Sequence, residues 1–131
     1  MELRLTDRIE KIASVYNAFR DGDGAALGEL LGDTHWTEAA GMPYGGEYQG
    51  FGEIAANVFG PIGQDVTDFS ARPDELLPAG DDRVLALGRY RGTGRNGALD
   101  VPFAHLWTLD GDRISHFVQH VDTHRFREAI G

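Results

Sequence analysis

The chain has 131 residues, with 12 Lys and Arg against 21 Asp and Glu for a formal charge of −9, a length that suits one domain over 1–131. An acidic chain without a basic stripe argues against nucleic acid and an anionic membrane surface as partners. The count of Cys is zero, which excludes disulfides, thiolate zinc sites and cysteine nucleophiles.

In chain order, Leu5, Ile9, Ile12, Tyr16 and Phe19 fall on one face of an amphipathic helix. Asp7, with Glu10 three residues on, predicts its capping box, and Asp21-Gly22 its end. Asp23 caps a second helix that turns Ala26, Leu27, Leu30 and Leu31 inward and stops at Gly32. A short strand over His35–Ala39 leads into the glycine-rich loop Gly41–Gly50, and Gly52–Phe59 reads as a third helix. Extended segments follow at Val66–Leu77, Arg83–Arg91, Ala98–Leu109 and Arg113–Val121, separated by Gly- and Asp-rich turns. Pro73, Pro78 and Pro102 each remove a ladder donor and belong at bulges or edges. A last helix starts near Thr123. Helices first, then an antiparallel meander, then a terminal helix predict an α+β fold: a cone-shaped α+β barrel with N-terminal helices on a curved antiparallel sheet. Such a cone is a small-ligand site.

No apolar run approaches the ~18 residues of a membrane span. The mixed charges of MELRLTDRIEKIASVYNAF fit neither a signal nor a transit peptide, so the expected location is cytoplasmic. Three local patterns point elsewhere and are set aside. Gly92-Thr-Gly-Arg-Asn-Gly97 matches a dinucleotide fingerprint but precedes a strand, and Asn96-Gly97 is a hairpin turn. Asp21-Gly-Asp23 lacks the Glu that a calcium loop needs at position twelve. His116, His120, Asp122 and His124 would share a face on one helix. The β-rich segment instead places His116 and His120 on a sheet face and His124 beyond it, with Asp122 a helix cap, so no metal is expected.

Three segments carry a family resemblance over essentially the whole chain: VYNAFRDGD (Val15–Asp23), HWTEAAGMPYGGEYQG (His35–Gly50) and AHLWTLDGDRISHFVQHVDTHRF (Ala104–Phe126). The chain resembles the SnoaL-like group of the nuclear transport factor 2-like superfamily, which includes ketosteroid isomerases, polyketide cyclases and limonene-type epoxide hydrolases. The resemblance implies the cone fold, a hydrophobic small-molecule ligand and a homodimer. It aligns Glu38 with the general-base aspartate of the isomerases. A carboxylate in an apolar cone has its pKa raised by desolvation, which suits a base near neutral pH.

The resemblance also aligns His105 with the pocket histidine of SnoaL-type cyclases and, with a one-residue gap, with the oxyanion-stabilising acid of the isomerases. Strand parity sets His105 between Phe103 and Trp107, where a neutral imidazole can donate to an enolate or relay a proton. Gln119 stands where cyclases and epoxide hydrolases carry a catalytic aspartate. An amide orients but does not abstract protons, which counts against cyclase and hydrolase chemistry in their usual form. Val15 takes the isomerase tyrosine's place, with Tyr16 one residue off, so Tyr44 or Tyr48 at the cone's mouth are substitute donors or lid residues against Trp36. Trp36, Phe69, Phe103, Trp107 and Phe117 read as cone lining. The reading these residues favour is an isomerase- or cyclase-like enzyme performing proton transfer, without cofactor, on a hydrophobic carbonyl-bearing ligand. Glu38, His105 and Gln119 are its catalytic candidates. The alternatives are a ligand binder without turnover and a dimeric interaction module using Arg89, Arg91, His116 and His120 on the outer sheet face.

Overall fold

The computed structural model describes residues 4–131 of the chain. Helix α1 (Leu5–Asp21) starts before Asp7, with Arg4 as its uncapped N-terminal flank. Nothing in Leu5-Thr6 breaks a helix, so Asp7 lies within the first turn, its carboxylate 3.7 Å from Arg4, and is not the cap. Gly22 ends the helix at φ +66°, where its N–H reaches the Ala18 and Phe19 carbonyls. Helix α2 (Gly24–Leu30) is capped by the Asp23 side chain, which accepts from the Ala26 N–H at 3.0 Å.

Strand β1 (His35–Glu38) pairs with β2 (Gly46–Gln49), so the latter part of the expected glycine-rich loop is a strand. Helical structure then runs past the predicted end at Phe59. Helix α3 (Gly50–Ile54) passes into a π turn (Ala55–Phe59) and then α4 (Gly60–Asp65). Pro61 has no N–H to donate four residues back. The chain absorbs this by widening, with the Gly60 N–H reaching five residues back to the Ala55 carbonyl, and Pro61 sits in the first turn of α4, where proline is tolerated.

The meander comprises β3 (Val66–Pro78), β4 (Arg83–Gly94), β5 (Gly97–Asp110) and β6 (Arg113–Val121), closed by α5 (Thr123–Ile130). The sheet order is β2-β1-β6-β5-β4-β3. It is not wholly antiparallel: β1 and β6 run parallel, since more than half of the chain separates them and no hairpin fixes their direction. The prolines sit where a missing donor costs least. β3 is an edge strand, with Pro73 at a register shift and Pro78 at its end. Pro102 lies just beyond the last β5–β6 pair, Phe103 with Val121. Register shifts after Thr67, Pro73 and Thr108 bend the sheet. Along β5 the burial alternates, with Leu99, Val101, Phe103, His105, Trp107 and Leu109 inward. Helix α1 lies across β3 and β4, which encloses the concave face of the sheet.

Candidate functional site

The concave face holds a cavity of ≈ 40 Å³ walled by α1, the π turn, α4, β1, β3, β4, β5 and β6. That is room for a few water-sized groups, each needing ~10–15 Å³ in this measure. Of its walls, Phe19, Phe59, Phe69 and Ala71 are half-buried and the others buried, so the mouth is aromatic. Phe19 meets Phe59 edge-on at 5.1 Å and Phe69 at 6.0 Å. The π turn supplies both Val58 and Phe59 to the wall. Phe69 follows Asp68, which holds φ +54° at the first register shift of β3. Gly92 faces that bulge: a Cβ there would lie 2.5 Å from Val66 Cγ1 and 2.8 Å from the Thr67 carbonyl, so only glycine fits without rearrangement.

Inside the mouth, Glu38 is 2% exposed. Its Oε1 accepts from the Trp36 indole N–H at 2.9 Å, whereas Oε2 is buried with no hydrogen-bond partner. Burial raises the Glu38 pKa to about 7, against the smaller opposing effects of Trp36 and Gln119. The carboxylate therefore titrates near neutral pH.

Beside it runs a chain of buried hydrogen bonds. The Trp107 indole N–H donates to the Tyr16 hydroxyl at 2.9 Å, and that hydroxyl lies 2.6 Å from His105 Nδ1. His105 Nε2 is 2.5 Å from the Tyr90 hydroxyl, which accepts from Gln119 Nε2 at 2.8 Å. Gln119 Oε1 in turn accepts from the Ala39 N–H at 3.0 Å. Burial, reinforced by the nearby His120, holds the His105 pKa well below its usual value, so the ring is neutral. Burial likewise pushes the Tyr16 and Tyr90 phenols up, so both keep their protons.

The structure thus brings Glu38, His105, Gln119, Tyr16, Trp36, Phe69, Trp107 and Phe117 to one cavity. Trp36 also stacks on Phe117 at 3.6 Å. Three of the sequence-predicted residues lie elsewhere. Phe103 is behind the wall, stacked on His105 at 3.9 Å. Tyr44 is not a cavity donor: its hydroxyl donates to Asp65 at 2.8 Å and its ring packs on Phe126. Tyr48 donates to the Tyr44 carbonyl at 2.8 Å. Neither packs on Trp36 among the ring contacts of the described residues, because the β2 hairpin carries the loop away from the mouth. His105 has tyrosines on both ring nitrogens, so it has no N–H free for a ligand. The residue that the sequence reading missed is Tyr90. Its signal was present: Val84, Ala86, Gly88 and Tyr90 alternate on the inward face of β4.

The histidine pattern of the C-terminal region does not converge. His116 and His120 are exposed, His124 meets Glu128 at 3.1 Å, and Asp122 accepts from the Arg125 N–H. Among the described residues no group of three or more His, Asp or Glu side chains is placed to hold a metal ion, and no helix is long and apolar enough to cross a membrane.

Comparison with known proteins agrees with this architecture. The model of the SnoaL-like domain family matches residues 12–117. An NTF2-like protein from Burkholderia thailandensis E264 is 34% identical, with a TM-score of 0.85 over 93% of this chain and 95% of that one. TerC, solved with polyporic acid, is 26% identical, with a TM-score of 0.82 over 94% and 97%. A protein of ketosteroid isomerase-like fold from Catenulispora acidiphila DSM 44928, solved with trimethylamine, shares the fold at 20% identity and a TM-score of 0.71 over 85% and 84%. No curated protein matches. The chain belongs to the SnoaL-like domain family, within the NTF2-like fold.

Proposed function

We propose that this SnoaL-like chain is a cofactor-independent enzyme of isomerase or cyclase type. On this reading it moves a proton on a small, apolar, carbonyl-bearing molecule held in the cone. The observation that carries the reading is the unpartnered Glu38 Oε2, buried beside the hydroxyl chain of Tyr16, His105 and Tyr90. A buried carboxylate oxygen without a donor is costly as structure and useful as a base. Ionised, Glu38 takes an acidic proton from the carbon next to the carbonyl, and the electron pair moves onto the carbonyl oxygen. A tyrosine hydroxyl from the chain donates to that oxygen as its charge develops. Glu38, now protonated, returns the proton to the carbon skeleton. The Trp36 indole steadies the carboxylate by one oxygen and leaves the other to react. Gln119 holds Tyr90 and moves no proton.

The test is proton exchange. Small cyclic ketones are incubated with the protein in D₂O, and loss of their α-proton signals is followed by NMR. Enzyme-dependent exchange in the wild type that Glu38→Gln abolishes supports the reading. Binding without exchange across the set points instead to a ligand binder, the role that Gln119 in place of a catalytic aspartate favours.

The outer sheet face supports a second element of the proposal, a homodimer. Leu77, Leu85, Leu106, Val118 and Thr37 are register partners in one row across five strands, with Leu77 38% exposed. A second copy of the chain would cover this row. A sedimentation mass of one chain at micromolar concentration rules it out.

A further inference from the structure

The chain of hydrogen bonds in the cavity has a fixed proton count. Tyr16 and Tyr90 carry one hydroxyl proton each, and a neutral His105 carries one ring proton, three in all. The two tyrosine–histidine contacts, 2.6 Å at Nδ1 and 2.5 Å at Nε2, use one proton each. One tyrosine hydroxyl proton is therefore left over in either tautomer. When Nδ1 bears the proton, it donates to Tyr16, Tyr90 donates to Nε2, and the Tyr16 proton is free. When Nε2 bears it, the roles reverse and the Tyr90 proton is free. In both states the freed hydroxyl already accepts a second bond, from Trp107 on one side or Gln119 on the other. Its own proton then has the cavity, which both tyrosines line, as its outlet.

We infer that His105 is a tautomeric pivot, a positioning residue that delivers a single hydroxyl proton to the cavity from Tyr16 or from Tyr90. No heavy atom of the protein has to move for the switch: Nδ1 passes its proton to Tyr16, Nε2 takes the Tyr90 proton, and the outward Tyr16 proton is relayed to Tyr90 by a water or a ligand oxygen in the cavity that both hydroxyls line. A bound acceptor oxygen near Tyr16 selects the Nδ1–H form, and one near Tyr90 selects the Nε2–H form. The cavity thus offers two alternative oxyanion positions but fills only one at a time. Its ligands accordingly carry one strong acceptor oxygen at the chain of hydroxyls. The catalytic use of this device rests on the proton-transfer reading above, whereas the pivot itself does not.

The experiment reads the ring directly. Long-range ¹H–¹⁵N spectra of ¹⁵N-labelled protein report the protonation of each ring nitrogen, with His105→Gln identifying the His105 signals among the five histidines. Tyr16→Phe leaves only Tyr90 as a partner, and a buried orphan N–H is avoided, so the expected form is Nε2–H. Tyr90→Phe is expected to give Nδ1–H. The same tautomer in both variants, or an imidazolium at pH 7.5, overturns the proposal. Should either variant fail to fold, Trp107→Phe and Gln119→Met replace the pair. Each relieves one hydroxyl of a competing donor and should shift the tautomer in opposite senses, toward Nδ1–H and Nε2–H respectively. Equal shifts overturn the proposal.

In the ketone-exchange assay each single Tyr→Phe variant should lose less than about tenfold, because the other hydroxyl takes over. The double variant should lose roughly 10²–10³-fold, the usual cost of an absent oxyanion donor. A single variant as slow as the double one overturns the pivot. Absence of exchange in every form, with the tautomers still inverting, sinks the enzymatic reading and leaves the pivot standing.

Discussion

Two pairs of phenols, all buried except the half-buried Tyr48, lie in this molecule, and they differ in how their hydrogen bonds are finished. In the segment after β1, Tyr44 donates to Asp65 and Tyr48 donates to the Tyr44 carbonyl, so each hydroxyl proton has its acceptor. In the cone, Tyr16 and Tyr90 share His105 with one proton to spare, and Glu38 Oε2 next to them has no donor. Burial is the chief cause that raises the phenol pKa of Tyr44 in the first group just as it does for Tyr16 and Tyr90 in the second. Burial therefore does not separate structure from function here. The completeness of the hydrogen bonding does: the first group is closed and locks a loop, the second is open and complementary to a ligand with one donor-like C–H and one acceptor oxygen.

The contrast can be broken most sharply at Glu38. Glu38→Gln should lower ketone exchange by roughly 10²–10⁴-fold, the usual contribution of a positioned base, whereas Tyr44→Phe should stay within a few-fold of wild type. An equal loss in both would erase the distinction. In the wild type, log(kcat/KM) for exchange should rise with pH and level off above a pKa of about 7, because the ionised carboxylate is the base. A flat profile from pH 5 to 9 would remove Glu38 from the reaction.

The next effect is on stability. The folded pKa of Glu38 is about 7 against an ordinary value of 4.5. Below 4.5 the carboxyl is protonated in both states and costs nothing. Between the two values the unfolded chain releases its proton while the folded chain keeps it, so stability falls as pH rises. Above about 7 the loss is complete, roughly 3 kcal/mol at 1.36 kcal/mol per pKa unit. Urea unfolding between pH 4.5 and 8 should show this decline in the wild type and a shallower one in Glu38→Gln. Identical slopes would mean that Glu38 is solvated in the native state.

Smaller changes are expected at the closed group and at the mouth. Tyr44→Phe should cost about 1 kcal/mol, the net worth of one hydrogen bond, since Asp65 is exposed and regains water. A cost near that of a core cavity, ~3 kcal/mol or more, would show that Tyr44 holds more than the loop. Phe59→Ala opens the aromatic mouth and should raise the association rate of a small ketone a few-fold, read by quenching of the indoles of Trp36 and Trp107. An unchanged rate would place the entrance elsewhere.

Much of this was legible in the chain before folding, and the reason is local. Strand alternation along β5 put Phe103, His105 and Trp107 on one face, and the glycine and aspartate turns bounded the meander within a few residues. The caps at Asp23 and Asp122 were readable because such a cap needs only a side chain three residues from an amide. Asp7 failed as a cap because two ordinary residues before it also adopt helical geometry. The helix past Phe59 was hidden by Gly60-Pro61, which ends most helices but here is carried by a π turn.

The sequence by itself determined the α+β order and, through alternation along β5, the face that His105 shares with Phe103 and Trp107, while Glu38 and Gln119 stood out only through the family resemblance. Only the tertiary structure decided how they finish their bonds. It set Tyr90, absent from the sequence reading, on one side of His105 and Tyr16 on the other, and it took Tyr44 and Tyr48 away from the cone. The physical reason is range. Periodicity records which face a side chain takes relative to its own strand or helix, whereas a hydrogen bond such as Tyr16 to His105 joins residues 89 positions apart. Its existence depends on how α1 settles across the sheet, a matter of packing that no local pattern encodes.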